Sequence, residues 1–245
     1  MKKLLCLLLC SVSVTAFGQD KTLYKFNVLK TRSGMRSSFE DHWKVHMEKF
    51  HKITDKRIVY EVTSGSNIGT YKIVEGPISY SDINIVLPNK KEHELDLEKT
   101  FSRQLGPGSS TLYNWIDTLS HQGNTKTEEF LVTSTVLKDG KAEEYLAELR
   151  RAVIINNKLN IPYSTNVYVK QQAGSSPNIV TMRNLVDGFK ELDSDFLPVN
   201  SNQVRDEYIK VFGHEAWDKR TKLLVEDIVS REQHFEKFRP DLSSK

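Results

Sequence analysis

The stretch LYKFNVL at residues 23–29 has a counterpart in FLVTSTV at residues 130–136, and this pair decides the fold. Both stretches are rich in the β-branched and aromatic side chains that are typical of strands. Each is followed by a glycine turn, which contains Gly34 in the first copy and Gly140 in the second. Recurrence of one pattern along the chain predicts an internal repeat.

A segment with helical periodicity follows each of these strands. Apolar and aromatic positions recur there at three- and four-residue steps: Phe39, Trp43, His46, Phe50 and Ile53 in the first copy, and Tyr145, Leu149, Ala152 and Val153 in the second. This spacing places the side chains on one face of a helix. The register of the repeat puts Ala152 of the second copy at the position of His46.

Two further strands, a second helix and a last strand complete each copy. The predicted strands are 58–62, 70–74 and 112–116 in the first copy, and 166–169, 178–182 and 223–229 in the second. The second helices are predicted over 92–105 and 201–212, each stopping at a glycine, Gly106 or Gly213. The order β-α-β-β-α-β is that of the ferredoxin-like unit. We therefore predict an α+β fold of two tandem ferredoxin-like units, residues 19–122 and 127–245.

The N-terminus has the parts of a cleavable secretory signal peptide over residues 1–18. Two lysines precede a short apolar run, residues 4–12, and small residues follow it. Ala16 and Gly18 occupy the −3 and −1 positions of a cut before Gln19. The run is about half the roughly 20 residues of a membrane-spanning helix. We expect a periplasmic or secreted mature protein that retains no integral membrane span.

Composition excludes several classes of function for the mature chain. Both cysteines, Cys6 and Cys10, lie in the segment that would be removed, so no disulfide, cysteine-ligated metal or cysteine nucleophile remains. The formal net charge of +3 includes Lys2 and Lys3. Acidic and basic residues are mixed along the chain, and we expect no nucleic-acid partner because no basic stripe is present.

The element order resembles that of the dimeric α+β barrel superfamily, which includes antibiotic-biosynthesis-monooxygenase-like domains. In that superfamily two ferredoxin-like units join their sheets into a barrel, either as a homodimer or as a tandem fusion within one monomer. The resemblance implies an α+β barrel with a ligand pocket between helices and sheet. The C-terminal FRPDLS at residues 238–243 also resembles the end of secreted proteins of the Bacteroidetes type.

Some haem-degrading members of the superfamily use an asparagine, a histidine and a tryptophan. Asn27, His46 and Trp43 supply those residue types, but their order and spacing differ from that pattern. The resemblance therefore does not extend to haem, and we predict no cofactor.

The first helix carries most of the candidate site residues. His42 and His46 lie four residues apart and would share a helical face, as a chelating pair requires. Trp43 occupies the glutamate position of a His-Glu-x-x-His motif, and a solvated face that bears histidines is the simpler interpretation. We therefore predict no metal site.

His46 on its own is the catalytic candidate, because it is a polar group on the face that packs against the sheet. A core histidine satisfied by a backbone carbonyl is the competing interpretation. Trp43, His46 and Phe50 are the predicted ligand-binding residues, and the repeat confines such a site to the first unit.

The main functional hypothesis is an exported module that binds a small hydrophobic ligand or serves a stress response. The first alternative is a cofactor-free oxygenase or isomerase with His46 as base and Trp43 beside the substrate. The second is a structural or interaction protein with no pocket. A filled space around His46 would count against the enzyme.

Overall fold

A computed structural model describes residues 22–51, 56–84, 89–171, 177–192 and 200–244. In these residues eight antiparallel strands close into a barrel. The strands are β1 Leu23–Lys30, β2 Arg57–Val62, β3 Thr70–Ile78, β4 Ser109–Trp115, β5 Glu129–Leu137, β6 Thr165–Lys170, β7 Asn178–Asn184 and β8 Ile228–Phe238. The α-helices are α1 Arg36–Phe50, α2 Lys90–Asp96, α3 Ala142–Lys158, α4 Ser201–Phe212 and α5 His214–Glu226. The predicted signal peptide and its cut lie outside the described residues.

The order of strands around the barrel is the same in both halves of the chain. The closed order is β1-β3-β2-β8-β5-β7-β6-β4. The first half therefore reads β4-β1-β3-β2 and the second β8-β5-β7-β6, with each strand at the corresponding place. The halves join where β2 pairs with β8 and where β4 pairs with β6. Each half thus pairs the sheet edges that the other would leave exposed.

Alternation along the strands separates an inner core from two outer ones. Inside the barrel, Phe26 and Val74 of the first half pack with Val132, Tyr168 and Val180 of the second. The preceding residue of β3, Ile73, points outward and packs under α1. This period of two is what places successive side chains on opposite faces of a sheet.

The outer core of the first half is completed by the C-terminal segment. Phe39, Trp43 and Met47 of α1 are buried against β3, and Leu242 is fully buried among them. The indole Nε1 of Trp43 donates a hydrogen bond to the carbonyl of Leu242 at 3.0 Å.

The described residues include no helix with the length and apolar character needed to cross a bilayer.

The structure differs from the sequence prediction at the end of each copy. Residues 223–226, predicted as the start of the last strand, belong to α5, and the strand β8 begins at Ile228. Leu223 is buried while Val225 is exposed, which is helical rather than strand burial. In the first copy, α2 continues as one π-helical turn and ends at Phe101 rather than at residue 105. The predicted stop at Gly213 is confirmed, with a φ of 85° and its N–H bonded to the carbonyl of Ile209.

Candidate functional site

A cavity of about 380 Å³ lies between the outer face of the second-half sheet and the helices α3, α4 and α5. Ligand pockets have volumes of about 300–1,000 Å³ and often lie between such layers. The helices contribute Leu149 and Ala152 from α3, Val204 from α4 and Leu224 from α5. The sheet contributes the side chains that point outward from β5 to β8. The space is therefore large enough for a small organic molecule.

Smaller side chains in the second half account for this cavity. Trp43 and His46 occupy the first interlayer space, whereas the matching positions hold Leu149 and Ala152, which line the cavity. On the sheet, Ile73 of the first half is buried under α1, and its counterpart Thr181 faces the cavity. The two halves share an architecture, but the second leaves volume unfilled.

The charged residues of the cavity wall are mostly cationic. Arg183, Arg220 and Arg231 line the cavity, with Glu148 as the lining carboxylate. Arg183 is held by Glu191, whose carboxylate lies 2.7 Å from Nη1 of Arg183. Guanidinium groups bind carboxylates and phosphates well because they offer paired donors. The wall therefore combines apolar surface with three guanidinium groups, one of which is already paired with a carboxylate.

Glu148 is the centre of a buried polar network at the helix side of the cavity. It is 4% exposed, and its Oε2 accepts a hydrogen bond from the hydroxyl of Tyr208 at 2.6 Å. Arg151 donates to the other carboxylate oxygen, and Arg220 lies 4.0 Å from Oε2. Burial, and then the bond to Glu148, raise the pKa of Tyr208 above its ordinary value. The network keeps the phenol protonated and orients the carboxylate.

The residues predicted from sequence lie in the first half, where the corresponding space is filled. Trp43 and His46 are 3% and 1% exposed, and Phe50 is half-buried. The His46 ring contacts the rings of Trp43, Phe50 and Phe101 at centroid distances of 5.4, 5.0 and 5.4 Å. A catalytic base must come within hydrogen-bond reach of the proton that it removes. These described residues pack directly against the buried His46 ring, which counts against its predicted role as a base.

His46 belongs instead to a group of three histidines. Its Nε2 lies 3.1 Å from Nε2 of His51, which lies 3.1 Å from Nε2 of His93. On the other side of the ring, Nδ1 lies 2.7 Å from Oδ2 of Asp96. A carboxylate only accepts, so Nδ1 carries a proton and Nε2 presents a lone pair. Burial lowers the pKa of His46 to about 4, although the bond to Asp96 opposes that shift.

The other histidine of the predicted pair does not join this group. Nδ1 of His42 lies against the side-chain amide of Gln104. Asn27, considered above beside haem chemistry, donates a hydrogen bond to Glu75 at 2.7 Å. Sequence reasoning did not group His51, His93 or Asp96 with His46. His51 follows the helix, and His93 and Asp96 lie on a separate helix, so no helical spacing connects them.

Comparisons with known proteins show the fold. No family model and no curated protein sequence matches the chain. A candidate monooxygenase from Lactobacillus acidophilus NCFM superposes with a TM-score of 0.57 at 12% identity, covering 91% of this chain and 96% of that one. An anthrone oxidase-like protein gives 0.52 at 10%, covering 90% and 92%. A mutant form of chlorite dismutase from Candidatus Nitrospira defluvii gives 0.54 at 9%, covering 90% and 92%. The chain therefore shares its overall barrel fold with these proteins.

Proposed function

We propose that this chain is an exported small-ligand-binding α+β barrel, built from two tandem ferredoxin-like units, whose binding site is the second-half cavity. The observation that carries the proposal is the contrast between the two halves. The same interlayer space is filled by Trp43 and His46 in one half and open beside Leu149 and Ala152 in the other. The matching strand order supports the tandem arrangement. Closure of the barrel within one chain supports a monomer.

The cavity wall favours a ligand with an apolar body and an anionic group. On the helix side, leucine, isoleucine and valine side chains lie beside the Glu148 network, and Arg220 and Arg231 lie where a ligand carboxylate could pair with them. The similar structures include proteins described as a monooxygenase candidate and as anthrone oxidase-like, which supports a barrel that handles small organic molecules.

Filling the cavity tests the proposal. The mature chain should retain a small molecule through purification, or gain thermal stability from a panel of alkyl and aryl carboxylates. Ala152→Phe should abolish both effects, because the ring would occupy the cavity. Ile154→Phe is the matched control, since Ile154 is 43% exposed on the same helix. The proposal fails if Ala152→Phe binds as well as the wild type, or if no carboxylate in the panel binds the wild type.

An enzymatic role of the same cavity is the second candidate, as a cofactor-free oxygenase or isomerase. The observation that favours it is Glu148, a carboxylate in the cavity wall with a phenol 2.6 Å away. Paired groups of this kind can move a proton to or from a bound molecule. A bound carboxylate that mass spectrometry finds altered by the wild type but unaltered by Glu148→Gln would support catalysis. A ligand recovered unchanged from both would support binding alone.

Export is the part of the proposal that rests on the first 18 residues. Their two lysines, short apolar run and small residues at the cut support a signal peptide. Expression of the full chain in a bacterial host should yield a periplasmic or secreted protein whose N-terminal residue is Gln19. Intact-mass measurement of the product checks this, and Gly18→Leu should slow the processing. Recovery of the chain uncut in the cytoplasm would contradict the assignment.

A further inference from the structure

We propose that His46, His51 and His93 bind a divalent transition-metal ion, with zinc as the best fit. The three residues come from the C-terminal end of α1, the residue after it, and α2. One ligand nitrogen of each lies within 4.8 Å of the other two. This site lies in the first half, so it goes beyond the ligand cavity of the second half and does not depend on it.

Two of the three distances between the nitrogens are close to those of ligands around one ion, and the third is at most 4.8 Å. Zinc–imidazole bonds of about 2.0–2.1 Å in a tetrahedral site place two ligand nitrogens about 3.3 Å apart. The Nε2 atoms of His46 and His51 are 3.1 Å apart, and so are those of His51 and His93. Small movements of the half-buried His93 would therefore centre an ion among the three.

No neutral tautomeric state makes a separate hydrogen bond of each of the two Nε2–Nε2 contacts. Since Nδ1 of His46 donates to Asp96, its Nε2 accepts, and a proton on Nε2 of His51 must fill that contact. The same proton would then have to serve Nε2 of His93 as well. If His93 donates instead, the nitrogens of His46 and His51 meet with two lone pairs. A cation at the centre accepts all three lone pairs.

Asp96 supplies the outer partner that metal-binding histidines usually have. Histidine ligands commonly donate their second ring nitrogen to a carboxylate, which fixes the ring and strengthens its binding. Oδ2 of Asp96 lies 2.7 Å from Nδ1 of His46. The salt bridge between Lys49 and Glu92, at 2.8 Å, joins the same two helices at the surface. The helices are thus already positioned to present the ligands.

The donor set selects the class of metal. Imidazole nitrogens suit zinc, copper, nickel and iron, whereas magnesium and calcium prefer oxygen ligands. Three histidines are also the protein ligands of several catalytic zinc sites, which keep a fourth position for water or an external ligand. We therefore expect a site that binds zinc and cobalt but not magnesium.

Metal titration of the mature chain, prepared without a polyhistidine tag and stripped with chelator, tests the proposal. Calorimetry with Zn²⁺ should give one equivalent bound, and Co²⁺ should give the visible absorption of a tetrahedral nitrogen site. Bound metal should also raise the unfolding temperature. Asp96→Asn should weaken binding about 10- to 100-fold, as loss of an outer partner does. His93→Ala, which removes a ligand, should weaken it further.

His42→Ala is the matched control, because His42 lies one helical turn before His46 but outside the group. It should bind Zn²⁺ as the wild type does. His93→Ala is preferred to a change at His46, which is fully buried, and His93→Asn gives a second variant if the alanine is unstable. Absence of stoichiometric Zn²⁺ and Co²⁺ binding by the wild type would mean a hydrogen-bonded histidine cluster only and would overturn the proposal. Equal binding by His93→Ala, His93→Asn and the wild type would overturn it too.

Discussion

Lys72 and Glu236 form an ion pair inside the barrel, where both are at least 95% shielded from solvent. Nζ of Lys72 also lies 5.1 Å from the ring centroids of Phe26 and Tyr60, and His234 lies 2.9 Å from Glu236. Burial acts to raise the pKa of Glu236, but Lys72 and His234 outweigh it and hold that pKa below its ordinary value. The glutamate is therefore charged at neutral pH, and it depends on its partners.

Removing one partner of the Lys72–Glu236 pair should lower the free energy of unfolding more than removing both. Lys72→Met leaves the carboxylate of Glu236 buried without its main counter-charge, and the free energy of unfolding should fall by about 3–5 kcal/mol. The double variant Lys72→Met/Glu236→Leu should recover most of that loss. Urea denaturation at pH 7 measures both. Equal losses in the single and double variants would show that packing, and not charge, stabilises this position.

At the scale of elements, the segment after β8 ties the two halves together. Arg239 donates hydrogen bonds to Glu40 of α1 at 2.9 Å, to Glu61 of β2 at 2.8 Å and to Asp241 at 2.9 Å. Hydrogen bonds from Arg239, together with those from Tyr71 and Arg36, hold the pKa of Glu40 at about 2, although burial acts in the opposite direction. A second-half element therefore stabilises the first-half helix through charge.

This network predicts a pH-dependent contribution to stability. The pKa of Glu40 is lower in the folded chain, so its stabilisation is complete above its ordinary value near 4.5 and declines as the pH falls toward about 2. Arg239→Gln should lower the free energy of unfolding by about 2 kcal/mol at pH 7. The difference between wild type and variant should shrink steadily below pH 4.5 in denaturation curves. A difference independent of pH would contradict this account.

The π-helical turn after α2 has a local consequence for the histidine group. Leu97–Phe101 follows Asp96 directly, and Phe101 at its end is buried against Phe39, Trp43 and His46. π-Helical turns are rare in proteins, and those that occur are often found at functional sites. Here the turn lets one short element present Asp96 to His46 and still close the core beneath it.

At the scale of the whole molecule, repeated local patterns made most of the fold predictable. The strands that begin each copy lie where alternation and β-branched residues place them, and Gly213 ends its helix as predicted. The predicted last strand, residues 223–229, lies earlier in the chain than β8. The reason is that the middle of β8, SREQHFE at residues 230–236, is largely polar. It lies between β2 and β5, and its inward Glu236 is compensated by Lys72 rather than by apolar character.

The candidate sites were less predictable than the fold, for two different reasons. His46 could be singled out because it is polar on an apolar helical face. His93 and Asp96 reach it only because α2 lies beside the C-terminal end of α1, where His51 also lies, and the spacing of residues in the sequence does not indicate this. The cavity arises from volume that Leu149 and Ala152 do not fill. Small residues in a helix are too common to indicate an empty space by themselves.

Because Leu242 is buried in the outer core of the first half, that core cannot be completed until residue 242 has been synthesised. That core includes Phe39 and Trp43 from α1, yet Leu242 lies about 120 residues after residue 122, which follows the last strand of the first half, β4. At ~5–20 residues per second, this is a delay of roughly 6–24 s on the ribosome. Throughout that interval the N-terminal half lacks part of its hydrophobic interior and the barrel lacks its closing strands. The outer core of the first half is therefore complete only after residue 242 has been made and has packed against α1.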